Sequence, residues 1–285
     1  MKSFLIEVTT KVIDFPDPQK PGTPLVENIR DVVGMKGTGT WTIKAGLDVL
    51  VPVPTMAAAV DAREISALKD ERVKASKTLA GPSPKKFSGD VKQFIRDVKD
   101  ALYCSKICSY AQGMALLAAA NRPQASKDKK SDGVPGFGYG MNLPDIPMIW
   151  RAGCIIRAVF LEEITRAFRE NPKLANLMMH PRFKEMIAGR QEAWRRVVAL
   201  AIQHGIGTPA FGSSLAYYDT YRRERLPGNL IQAQRDYFGA HTYERNDAPG
   251  AFVHTEWSHD QPAHEPPAEG HGATQVGTGS HPKGD

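Results

Sequence analysis

The stretch Ser88–Ala120, SGDVKQFIRDVKDALYCSKICSYAQGMALLAAA, decides the fold class. Val91, Phe94, Ile95, Val98, Leu102, Ile107, Met114 and Leu117 recur at nearly helical spacing, so one long helix with an apolar face is expected. Ser88 is the expected N-cap, and a helix of this length needs other helices to cover it. They are legible on both sides. Residues 24–33 read as an amphipathic helix ending at Gly34, followed by helices from Trp41 to before Pro52 and from Thr55 to Thr78. Asp145 can cap a helix running through Trp150, Cys154 and Phe160 to Arg169, which "ENP" at 170–172 stops before starting another. Residues 181–204 end at Gly205, and 209–224 and 229–239 complete the set. Alternating strand patterns are hard to find, so the expected class is all-α.

Composition agrees with a packed protein. The 285 residues are 41% hydrophobic and 24% charged, enough for a real core. No run of 18 apolar residues occurs, which predicts no transmembrane helix, and the opening MKSFLIEVTTKVIDF lacks a cleavage-like small-residue site. A cytoplasmic protein is expected, with an organellar form as the alternative. Cys104, Cys108 and Cys154 read as reduced core thiols; no second ligand pair with zinc-finger spacing accompanies them.

The net charge of +6 is uneven. Residues 225–285 hold four Lys/Arg against eight Asp/Glu, leaving the body basic. The only dense lysine run, SKDKKSD at 126–132, is broken by acids, so neither nucleic acid nor a membrane is an expected partner. Residues 121–144 are polar, then glycine-rich, and read as a long mobile loop; GFGYG within them has no preceding strand and the wrong spacing for a dinucleotide turn. Residues 246–285 are rich in Pro, Gly and His, expected to be irregular and disordered at the end. Six of the eight histidines lie from 241 onward, but their irregular spacing favours solvated side chains over a metal tract.

Asp31–Trp41, DVVGMKGTGTW, is the chemical anomaly. Three glycines allow close backbone approach, lysine brings a point charge, and threonine a hydroxyl. Together they suit an anion, most simply a phosphate, near the start of the following helix. A helix stop at Gly34 followed by an ordinary loop is the other reading.

IRDVVGMKGTGTW, LKDERVKASKTL, FIRDVKDALYCSKICSYAQGMALL, MIWRAGCIIRAVFL, QEAWRRVV and LIQAQRDYFGAHTYER, in that order between Ser3 and Trp257, resemble the C-terminal part of the 6-phosphogluconate dehydrogenase family, the decarboxylating enzymes of the pentose phosphate pathway. The resemblance implies the large helical domain of that family, a homodimer, NADP as cofactor and 6-phosphogluconate as substrate. It implies an all-helical substrate-binding and dimerisation domain over 1–224 and a partner-reaching arm over 225–285. It also implies that Lys36, Thr38 and Arg63 contact the substrate's 6-phosphate, with Arg235 and His241 arriving from the other subunit.

Three departures stand beside it. Met35 replaces a usual Asn, Gln or Ser, the loop 121–144 is longer than usual, and the sequence beyond Trp257 does not follow the family's ending. The family's GxGxxG domain and the helix bearing its lysine base and glutamate acid have no counterpart in these residues, so no catalytic residue is expected in this chain. The resemblance therefore implies the helical half of an NADP-dependent oxidoreductase, inactive by itself. The alternative is a non-catalytic, dimerising phosphosugar-binding module.

Overall fold

A computed structural model describes residues 3–83, 86–124 and 135–257. They divide into two compact units, Met1–Arg222 and Arg223–Asp285, each considered by itself.

The first unit is built around α5, Val91–Ala120. Asp90, not Ser88, caps it: the carboxylate accepts from the Lys92 and Gln93 backbone N–H groups, satisfying two donors that the first helical turn leaves unpaired. The face that packs carries most of the apolar series: Ile107 and Met114 are buried, and Phe94, Val98 and Leu117 pack against the core. Ala101, Cys104, Cys108 and Ala111 are buried with them, whereas Val91 and Ile95 are exposed. Small side chains on that face let neighbouring helices approach closely. α9 (Gln191–Gln203) and α10 (Pro209–Tyr221) pack on it, and α10 in turn packs on α3 (Pro54–Ala67). Phe160, Leu161, Ile164 and Phe168 of α7 (Phe160–Glu170), Phe183 and Ile187 of α8 (Pro181–Ala188), and Trp194 complete the core. Burial pushes the Cys104 thiol up to about 12 and that of Cys108 up as well, consistent with inert core thiols.

One polar cluster crosses this core. Gln112 of α5 accepts from the Thr55 backbone N–H (3.0 Å) and donates to Thr55 Oγ1 (2.9 Å). Thr55 Oγ1 lies 2.9 Å from Ser214 Oγ, which donates to the Ala210 carbonyl. Three helices are thereby keyed at one point. Asp97 makes a second tie, held below the usual carboxylate range by two hydrogen bonds from Arg196 (2.8 and 2.9 Å) and one from Gln93.

Several expected helices are shorter or split. Residues 24–33 form only a 3-10 turn, Leu25–Asn28, and are otherwise extended, because they serve as a strap across other elements. The helix expected over 55–78 breaks at Leu68 into α3 and α4 (Lys69–Thr78), and that over 181–204 breaks at Gly189–Arg190. α6 covers Ile146–Ile149 alone; residues 150–159 are irregular and receive α1 (Phe4–Ile13), whose Phe4 ring lies 3.7 Å beneath the Arg157 guanidinium. "ENP" starts no helix; a 3-10 turn at Leu177–Met179 leads to α8 instead. The ends of the 121–144 loop are tied to α5, with the Asn121 side chain pairing both the N–H and the C=O of Met141 at 2.7 Å. Its centre, residues 125–134, lies outside the described residues, as does the tail from Ser258 and its four histidines.

The second unit contains α11 (Gly228–Gly239) and an antiparallel hairpin, β1 (Tyr243–Arg245) with β2 (Ala248–Val253). The hairpin corrects the expectation of irregular chain from residue 246. Its short strands, Pro249 and the bulge between Glu244 and Arg245 hide the alternation that would mark them in the sequence. Among the described residues it is the only sheet, and the chain is otherwise helical.

Candidate phosphate-binding site

The loop Asp31–Gly37 is held from beneath by α3 and α4. Ser66 Oγ accepts from the Val33 N–H (3.0 Å), and Arg63 Nη2 makes a short contact to the Gly34 carbonyl. Arg72 grips Asp31 with both Nη atoms (3.1 and 3.0 Å to Oδ2) and reaches the Ser66 carbonyl (3.1 Å). Lys69 adds an ion pair at 2.5 Å. Lys69 and Arg72 together hold the Asp31 carboxyl down at about 2. Asp31, Lys69 and Arg72 fall within the motifs quoted above, but no role for them or for Ser66 is legible there; the strap's path across α3 and α4 supplies it.

The loop then turns into α2, Thr38–Asp48. Gly37 is the N-cap at φ +91°, a left-handed conformation that a side chain would strain. A Cβ on Gly39 would lie 2.7 Å from Val60 Cγ2, so that glycine lets α2 lie close on α3. The glycines thus have structural tasks, and those tasks put the helix N-terminus at the surface. Lys36 and Thr38 are exposed there, and among the described residues neither Lys36 Nζ nor Thr38 Oγ1 has a hydrogen-bond partner. Arg63 Nε is buried with no partner either. An unpartnered ammonium, an unpartnered hydroxyl and helix-terminal N–H groups therefore lie on one turn, whose Gly34 carbonyl Arg63 contacts from α3, residue types that suit an anion.

Arg235 and His241 lie in the second unit, at the end of α11 and just beyond it. Arg235 Nη1 donates to Gln232 (2.9 Å), leaving its other guanidinium donors exposed. His241 Nδ1 lies 3.0 Å from the Arg235 carbonyl. A carbonyl only accepts, so Nδ1 carries hydrogen, and Nε2 is the nitrogen left for a ligand, donating to an anion when it too carries a proton. The turn is tight: Ala240 and Thr242 both have positive φ, at 48° and 59°.

The family model for the 6-phosphogluconate dehydrogenase C-terminal domain matches residues 1–257. The chain belongs to this family. It is 55% identical over 258 residues to a decarboxylating 6-phosphogluconate dehydrogenase of Synechocystis sp., covering 90% of this chain and 50% of the relative. An Oryza sativa relative of the same description is 50% identical over 255 residues, with 90% and 50% covered. Among solved structures, the Plasmodium falciparum 6-phosphogluconate dehydrogenase, described apo, with NADP+ and with 6-phosphogluconate, superposes with a TM-score of 0.80 at 40% identity, covering 90% of this chain and 52% of that one. The chain thus spans about half the length of the 6-phosphogluconate dehydrogenases it matches. Among the described residues no helix is long and apolar enough to cross a membrane, and no cluster of three or more His, Cys, Asp or Glu could hold a metal.

Proposed function

We propose that this chain provides the substrate-phosphate site and dimer contacts of an NADP-dependent 6-phosphogluconate dehydrogenase that oxidatively decarboxylates 6-phosphogluconate to ribulose 5-phosphate. The observation that carries the reading is the α2 turn, where Lys36, Thr38 and Arg63 all keep unused donors. A phosphate dianion needs several donors at once, and arginines supply forked, charge-assisted bonds. Arg235 and His241 of a second copy complete the site in this proposal, and the homodimer is part of it. A cytoplasmic location goes with the same reading.

NADP is the cofactor of this reading, and the described residues contain no dinucleotide-binding unit for it. Their one sheet is a two-stranded antiparallel hairpin, with no strand–turn–helix unit on which a pyrophosphate could rest. The proposal therefore gives this chain the phosphate end of the substrate and assigns hydride transfer, base and acid to residues outside it. The purified chain is expected to bind 6-phosphogluconate and not to reduce NADP with it.

A mixed dimer tests the shared site. Each charge-assisted hydrogen bond is worth roughly 1.5–3 kcal/mol, so Arg63→Ala and Arg235→Ala homodimers should each bind about ten- to a hundredfold more weakly. In the heterodimer of these two variants one site carries both lesions and the other none. Calorimetry should then recover the unmodified affinity at half the stoichiometry. A heterodimer that binds no better than either parent rules out Arg235 as a residue supplied in trans.

A further inference from the structure

Among its described residues the second unit has no buried apolar cluster. Of these residues only Asp236 is fully buried, while Leu230, Ile231, Phe238 and Phe252 are all more than 60% exposed. What closes the unit is that carboxylate. Asp236 Oδ1 accepts from the Thr242 backbone N–H (2.8 Å) and from His254 Nδ1 (2.9 Å); Oδ2 accepts from the Thr255 N–H (3.1 Å) and from Trp257 Nε1 (2.8 Å). One side chain thus fastens the helix end, the turn after it and the chain beyond β2.

Asp236 sits between the two arm residues of the proposed phosphate site. It follows Arg235 directly, and its bond to the Thr242 N–H fixes the residue after His241. That bond holds Thr242 in its left-handed conformation, while the Ala240 N–H donates to the Asp236 carbonyl at 2.9 Å. Residues 240 and 242 are therefore both anchored to residue 236, and His241 is the link between them. Gly239 leaves room for the result: a Cβ there would lie 2.5 Å from His241 Nδ1 and Cε1. The imidazole is seated over the helix end, bonded to the Arg235 carbonyl.

We propose that Asp236 is a positioning residue for the arm's anion-binding pair, using the bonds from Thr242, His254, Thr255 and Trp257 to fix His241 against Arg235 before any ligand arrives. The inference deepens the proposed function and rests on it for the identity of the ligand, but the preformed turn can be tested without ligand. Immobilising both side chains in advance removes an ordering cost from binding.

Asp236→Asn keeps the size of the side chain but turns one acceptor oxygen into a donor, which then faces the Thr255 and Trp257 donors. Nitrogen-15 spectra of the full chain should show His241 locked with hydrogen on Nδ1 in the unmodified protein and exchanging between tautomers in Asp236→Asn. Calorimetry with 6-phosphogluconate should show at least a tenfold loss for Asp236→Asn. Combined with Arg235→Ala and His241→Ala, the same change should add less than twofold, because Asp236 acts through those residues; an independent structural role would add its full loss again. Trp257→Phe removes one of the four donors and should give an intermediate effect if Asp236→Asn does not fold. A His241 tautomer unchanged by Asp236→Asn or by Trp257→Phe overturns the inference. If the tautomer is released but Arg235→Ala and His241→Ala leave affinity untouched, the positioning stands and the proposed phosphate role of the arm fails.

Discussion

The two units hold themselves together in opposite ways. In the first, α5 is enclosed by α7, α8, α9 and α10, and its buried residues are mostly apolar. In the second, one carboxylate with four donors does the work, and most large apolar side chains face outward. An apolar core is non-directional: it tolerates small displacements and sums many weak contacts. A buried carboxylate is directional, because each bond has a length and an angle, and losing one leaves a charge poorly compensated. The first arrangement suits a scaffold. The second suits a short segment that must present a few donors in a fixed array. The exposed apolar residues of the arm agree with the dimer in the proposed function, since such a surface gains from being covered.

The contrast can be broken most forcefully in the first unit. Phe168 of α7 is 1% exposed, and Phe168→Ala should cost about 3–5 kcal/mol through lost burial and an unfilled cavity. Denaturant unfolding followed by helical circular dichroism should show a much lower midpoint. Asp236→Asn should leave that midpoint where it was, because the helices that dominate the signal belong to the other unit. A shared loss of midpoint would mean that the arm and the helical body fold as one. A smaller effect is expected at the polar key. Gln112→Leu leaves the buried Thr55 N–H without its acceptor and Thr55 Oγ1 with Ser214 alone, at a cost of about 1–3 kcal/mol. Ser214→Ala removes only the third member and should cost less than Gln112→Leu in the same assay.

The helical body was legible because its apolar periodicity is strong; α5 ends at Ala120 as its sequence indicates. Breaks were less legible. Leu68, a good helix former, separates α3 from α4, since local propensity yields to the need to place Lys69 and Arg72 beneath the strap. The strap itself has helical composition and an extended path, because its partners lie on those helices rather than within its own turns. At the candidate site the glycines, lysine and threonine stood out, and the family resemblance supplied Arg63, Arg235 and His241. Asp236 did not stand out. In the sequence it is a charged residue beside Arg235, and its partners at 242, 254, 255 and 257 are brought to it only by the hairpin, whose short, bulged strands concealed it.

The gentlest probe of the contrast is acid. Burial alone would push the Asp236 carboxyl up, but the bonds from His254, Trp257, Thr255 and Thr242 outweigh it and hold the group at about 2. An unfolded aspartate titrates at about 3.9. The folded value is the lower one, so the ionised carboxylate favours the closed arm fully above about pH 4, and that preference declines as pH falls and is gone below about 2. The Trp257 indole N–H resonance reports it, since Nε1 donates directly to Oδ2. It should stay constant from neutral pH down to about 4 and move between about 4 and about 2. A signal constant to below pH 2 would show that the carboxylate's charge is not what closes the arm.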